Sequence, residues 1–87
     1  MAWFEFIWLA GCGGNIEHLA EHGVTQDDFE TVFRNSDAEL ISRSRGLPIR
    51  FGYTTDGRFI AIVYEWIEAD MTVLPVTAFD APERFRS

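Results

Sequence analysis

The chain contains no lysine. Its seven basic side chains are all arginine, set against fourteen acidic residues and two histidines, for a formal net charge of −7. A surface with that balance repels phosphate backbones, because nucleic-acid affinity comes largely from neutralising phosphates with Lys and Arg. A single cysteine, Cys12, cannot form an internal disulfide. Nothing therefore calls for an oxidising compartment, and a cytoplasmic location is expected. No stretch reaches the roughly 18–20 apolar residues that a membrane-spanning helix needs. The apolar opening, Met1 to Ala10, lacks a positive n-region and carries Glu5 within it, which points to a buried strand rather than a signal peptide. No linker, internal repeat or low-complexity segment divides the 87 residues, which are read as a single domain.

What the chain does have is apolar surface. A domain of this length hides only about 60–65% of its unfolded surface, so it needs a dense core. Hydrophobic residues make up 47% of the sequence and aromatic ones 15%, including Trp3, Trp8, Trp66 and eight phenylalanines. That supply exceeds what a small core requires and leaves apolar surface for self-association.

The order of elements reads as an α+β fold, β-α-α-β-β-β-β, with a small antiparallel sheet after the helices. Trp3 to Leu9 is aromatic and β-branched, a strand closed by Gly11-Cys12-Gly13-Gly14. A first helix follows from Asn15 to His22, burying Ile16, Leu19 and Ala20, with Gly23 placed to end it in a left-handed conformation. Thr25 is placed as an N-cap with Asp28 completing a capping-box-like pair, and the second helix runs to Arg34 with Phe29, Val32 and Phe33 on one stripe. Glu39–Ser42 and Pro48–Thr54 are strands; in the latter Ile49, Phe51 and Tyr53 alternate with Arg50, Gly52 and Thr54, so one set faces in and the other out. Asp56-Gly57 predicts a type I′ hairpin leading into a strand from Arg58 to Trp66. The unbroken apolar run Phe59–Tyr64 suits a central strand covered on both faces. Met71–Phe79 supplies the last strand, with a bulge or unpaired stretch at Pro75, and Ala81–Phe85 a closing turn of helix.

Four groupings bear on chemistry. His18-Leu19-Ala20-Glu21-His22 has the H-x-x-E-H spacing of inverzincin metallopeptidases. Such enzymes need a third ligand and a cleft that 87 residues scarcely accommodate, so no metal or cofactor is expected and His22 is read as a histidine favoured by the negative helix end. The glycine loop lacks a Walker lysine and reads as a connection rather than a phosphate cradle. Cys12 has no arginine nearby and reads as a plain thiol. The fourth is a sheet face bearing Arg50, Tyr53 or Thr54, and Arg58, which supplies the bidentate phosphate donors and stacking ring that an RNA-directed surface needs. The alternative is that Tyr53 packs in the core and the arginines pair with Glu39, Glu65 or Glu68 across strands.

The string His22-Gly23-Val24-Thr25, the Phe29…Val32-Phe33 stripe, Arg50-Phe51-Gly52-Tyr53…Asp56-Gly57-Arg58…Val63-Tyr64 and Pro75-Val76-Thr77-Ala78 together resemble the BrnT family of RelE/ParE-fold toxins over roughly residues 3–84. The resemblance implies a RelE-like fold, ribonuclease activity, an antitoxin chain as partner, and RNA as target. It would make His22, Arg50, Tyr53 and Arg58 the catalytic set, with His22 as proton donor. Where the family carries Lys and Arg around the first helix this chain has Gly14, Ile16, Ala20 and Glu21, and Phe79 stands where the family has an arginine. Two functional readings follow: a toxin-type ribonuclease whose activity is weakened or lost, and a non-catalytic interaction domain on the same scaffold that pairs with itself as a homodimer or with a partner chain.

Overall fold

The computed structural model describes residues 4–36, 38–43, 46–68 and 71–82. The expected start of the first strand at Trp3, the arginine at 45 and most of the expected closing turn at 81–85 lie outside them. The elements are β1 (Glu5–Phe6), α1 (Asn15–Glu21), α2 (Gln26–Asn35), β2 (Leu40–Ile41), β3 (Pro48–Tyr53), β4 (Phe59–Glu68) and β5 (Thr72–Asp80). They build one five-stranded sheet in the order β1-β5-β4-β3-β2, with both helices on one face.

The α+β order matches the sequence reading, but the sheet is mixed rather than antiparallel. Strands β2 to β5 pair antiparallel, whereas β1 joins β5 in parallel through Glu5↔Thr72 and Phe6↔Val73. A parallel pair needs a long crossover, and here everything from α1 to β4 lies between its two strands. β1 is also shorter than its apolar run. Ile7 N still donates to Val73 O at 2.9 Å, and past it the Asn15 side chain replaces the ladder: its Nδ2 donates to Ile7 O at 2.8 Å and Pro75 O at 3.0 Å, and its Oδ1 accepts from Leu9 N at 2.8 Å. Pro75 has no N–H to offer a neighbouring strand, and it sits at the register shift expected of it, opposite Tyr64.

Helix boundaries follow their caps. Thr25 and Asp28 exchange backbone–side-chain hydrogen bonds at 3.0 and 3.1 Å, completing the capping box. Gly23 ends the α1 region at φ +72°, a conformation other L-residues adopt at a cost. The β3–β4 connection departs from the expected two-residue turn. Gly57 N donates to Thr54 O and Thr54 N to Arg58 O, so the loop is three residues long with Gly57 at φ +87°. The Thr54 hydroxyl holds it, bonding the Asp56 carboxylate and accepting from Arg58 N.

The core lies between helices and sheet: Leu19, Val24, Phe29, Val32 and Phe33 pack on Ile60, Ile62, Tyr64, Val73 and Ala78. A Cβ on Gly52 would approach Val32 Cγ1 to 3.1 Å, so the bare backbone there lets α2 lie close on β3. The opposite face carries a smaller cluster of Ile49, Ala61 and Val63, bordered by Leu47, Phe51, Val76 and Ala81. No described helix covers it. β4 is central and buried on both faces, as its composition suggests: Ala61 and Val63 on the helix-free side are 0% and 1% exposed.

Candidate functional site

Strand alternation puts Arg50, Gly52 and Thr54 toward the helices and Ile49, Phe51 and Tyr53 on the helix-free face. The four residues singled out as a catalytic set therefore do not share a surface. Arg50 pairs with Ile62, four positions along β4 from Arg58, a separation of roughly 13 Å at about 3.3 Å per residue. Tyr53 lies on the other face against Phe59, ring centroids 5.0 Å apart. Only His22 and Arg58 are brought together.

Arg58 stands at the start of β4 and reaches the end of α1. Its Nη1 donates to Gly23 O and its Nη2 to His22 O, both at 2.6 Å, while Nε donates to Asp80 Oδ1 at 2.6 Å. All three guanidinium nitrogens thus have protein acceptors. The carbonyls at a helix C-terminus lack intrahelical partners and carry the negative end of the dipole, so a forked cation is the donor best matched to them. The Arg58 bond holds the Asp80 carboxyl below the usual carboxylate range, with the nearby His22 acting in the same direction. The two strings His22-Gly23-Val24 and Asp56-Gly57-Arg58 are consequently halves of one contact, in which a Cβ on Gly23 would press to 3.2 Å of Arg58 Nη1.

Arg50 does the same for α2. Its Nη1 donates to Phe33 O at 3.4 Å and Ser36 O at 3.2 Å, and Nε donates to Tyr64 Oη at 2.7 Å. The guanidinium lies over the Phe33 ring, 4.4 Å from its centroid, and Nη2 is 3.9 Å from Glu39 Oε1. Glu39 also accepts from the Tyr64 hydroxyl, and from Trp66 Nε1 at 2.9 Å. The pairing of Arg50 with Glu39 is the one the sequence offered as an alternative. Arg58 instead found Asp80, which lies 22 positions away in another strand and carried no local signal.

Burial pushes the Tyr64 phenol well above the ordinary tyrosine range; the Glu39 hydrogen bond adds to the rise, and Arg50 opposes it. A folded-state value raised above the unfolded one means stability that is complete below about pH 10 and declines as pH rises, by up to about 1.4 kcal/mol per pH unit. No lysine titration overlies that window. A spectrophotometric titration is expected to leave Tyr64 un-ionised past about pH 11, its phenolate appearing together with loss of the fold, and Tyr64→Phe should remove that late step.

The remaining groupings show little convergence. His18 Nε2 is 3.1 Å from Thr77 Oγ1 and its ring lies 5.6 Å from that of His22. Among the described residues no three His, Cys, Asp or Glu side chains gather where a metal ion could sit. A shallow hollow of about 370 Å³ between α1 and β5 is lined by Asn15, Glu17, His18 and Glu21 together with Leu74 and Pro75. Both polar atoms of the Asn15 side chain already have backbone partners. Cys12 is exposed in the loop before α1. No described helix is long and apolar enough to cross a membrane. The chain matches no family model, no curated protein and no solved structure.

Proposed function

We propose that this chain is a protein-interaction domain on a RelE-like scaffold, and that its strand arginines serve the fold rather than RNA. The observation that supports this most is the occupation of both guanidinium groups: Arg58 and Arg50 cap the C-termini of α1 and α2, and a phosphate would have to displace carbonyl, carboxylate and phenol acceptors already in place. The helix-free side of the sheet, by contrast, leaves the apolar side chains of Leu40, Tyr53 and Phe79 partly exposed. A net charge of −7 further opposes a polyanionic ligand.

A second reading, RNA cleavage, draws on the one convergence the geometry provides, with exposed His22 beside Arg58 and Asp80. A cleavage assay on single-stranded RNA at low salt separates the two. The interaction reading expects no cleavage by the wild-type chain and, for Arg58→Ala, a loss of about 1–2 kcal/mol of stability, discounted for the partial exposure of the side chain. Cleavage that His22→Ala and Arg58→Ala each abolish while the fold persists would establish the ribonuclease reading instead.

A further inference from the structure

We propose that Asp56-Gly57 is a site of covalent self-modification, the conversion of an aspartyl to an isoaspartyl peptide bond, and that the Thr54 hydroxyl restrains it while the β3–β4 loop stays closed. Of the seven glycines in the chain only Gly57 follows an aspartate, and none follows an asparagine. A glycine carries no side chain to crowd its own nitrogen, so that nitrogen is the backbone atom best able to attack the carboxyl carbon of the residue before it. Gly57 N forms a bond to Asp56 Cγ and loses its proton, one carboxyl oxygen leaves as water, and a five-membered imide results. Water then opens the ring. Attack at Cγ restores the original chain. Attack at the Asp56 backbone carbonyl carbon leaves the chain running through Cγ, with one more methylene in the backbone and a free α-carboxylate. One water is released and one taken up, so no other reactant is needed.

The folded loop opposes the first step at both reacting atoms. Gly57 N donates to Thr54 O at 3.0 Å, which holds the nitrogen in the turn. Thr54 Oγ1 donates to the Asp56 carboxylate and accepts from Arg58 N at 3.1 Å, so one hydroxyl fixes both the reacting side chain and the residue after the glycine. The Thr54 bond is also the main cause that holds the Asp56 carboxyl below the usual carboxylate range, and an ionised carboxylate is a poorer electrophile than its acid. Thr54 is itself anchored, buried and donating through its N to Arg58 O at 2.8 Å. A Cβ on Gly57 would meet nothing within 4 Å, so hydrogen bonds rather than packing close the loop there. Asp56 and Gly57 are exposed, and water reaches the imide once it forms. What the modification changes is the Arg58 clamp. Arg58 follows Gly57 directly and reaches His22 O, Gly23 O and Asp80 from that position, so an added methylene shifts the point from which the end of α1 is held.

Incubating the whole folded chain for several weeks near neutral pH in ¹⁸O-labelled water tests this, because each passage through the imide takes up one solvent oxygen whichever way the ring opens. Cleavage after Arg50 and Arg58 releases residues 51–58, in which mass spectrometry reads the label and chromatography separates the isomer. A synthetic peptide of the same residues sets the unrestrained rate. The wild type should be labelled about tenfold or more slowly than the peptide, and Thr54→Val about tenfold faster than the wild type, a factor within reach of one hydrogen bond. Thr54→Ser keeps the hydroxyl and should stay near the wild-type rate. Urea well below the unfolding transition should leave the Thr54→Val rate unchanged, because the opening is local. If Thr54→Val fails to fold, Thr54→Ala replaces it, and the comparison of wild type with peptide stands without either. The isolated isoaspartyl chain should unfold at a lower urea concentration than its parent. A wild type labelled as fast as the peptide overturns the proposal. So does a folded Thr54→Val that reacts at the wild-type rate or only in proportion to its global unfolding, or a Thr54→Ser that reacts as fast as Thr54→Val. An isomer as stable as its parent overturns the effect on the clamp.

Discussion

Arg50→Ala is expected to lower the unfolding free energy by about 3 kcal/mol, a large share of the roughly 5–8 kcal/mol available to a domain this small. The substitution strips two carbonyls at the end of α2 of their donor, leaves Tyr64 Oη without the Nε–H it accepts, removes the cation over Phe33, and withdraws the positive charge nearest Glu39. Charged hydrogen bonds are worth about 1.5–3 kcal/mol each when their loss leaves a partner unsatisfied, but they overlap here and water reaches part of the site. Arg50→Lys keeps the charge and loses the fork, so it should recover less than half. Urea unfolding measures both, with the midpoint falling and the slope unchanged. A thermal melt should shift by roughly 15 °C for the alanine variant.

Phe33→Ala should be still more damaging, at about 4 kcal/mol. Phe33 is 2% exposed and meets four rings edge to face: Phe4 at 5.1 Å, Phe6 at 5.3 Å, Tyr64 at 5.1 Å and Trp66 at 5.7 Å. Deleting a buried phenyl group costs about 3–5 kcal/mol because the surroundings close only partly on the cavity, and the edge contacts add to the loss. Phe33→Leu should recover about half. Because Arg50 sits on the same ring, the Arg50→Ala and Phe33→Ala effects should fall short of additivity by about 1 kcal/mol in a double-mutant cycle. The unfolding curves of the two single variants and the double variant supply that number.

Local chemistry was legible in the sequence wherever one or two adjacent residues decided it. The Thr25–Asp28 box, the left-handed Gly23, the Phe29-Val32-Phe33 stripe, the central β4 and the irregularity at Pro75 all follow from spacing or backbone geometry. The parallel pairing of β1 was not legible, since strand direction depends on where the chain returns rather than on what the strand contains. The three-residue β3–β4 loop was not legible either, because the Thr54 hydroxyl bonds within the loop in a way that the Asp56-Gly57 pair alone does not reveal.

The site was the harder part, for a specific reason. An arginine that caps a helix C-terminus and one that grips a phosphate use the same fork of donors toward oxygen acceptors, so residue type does not tell them apart. Only the positions of His22 O, Gly23 O, Phe33 O and Ser36 O decide it. Alternation in β3 showed that Arg50 and Tyr53 point to opposite faces, but not which of those faces the helices would cover. The larger apolar side chains, Ile49, Phe51 and Tyr53, went to the face that no described helix covers; the helix-covered face took Gly52, whose missing side chain lets α2 approach, and Arg50, whose guanidinium the helix end needs. That inversion builds a second, smaller apolar cluster on the side of the sheet away from the described helices.

The central claim, that Arg50 and Arg58 are held by helix ends, is tested most directly by the ¹⁵N NMR signals of their Nε–H groups, recorded with and without a single-stranded RNA oligonucleotide at low salt. Both protons should exchange slowly with water, Arg50 through its bond to Tyr64 and Arg58 through its bond to Asp80. Both shifts should stay in place as RNA is added. A rapidly exchanging Arg58 Nε–H, or one whose shift moves saturably with RNA concentration, would contradict the claim.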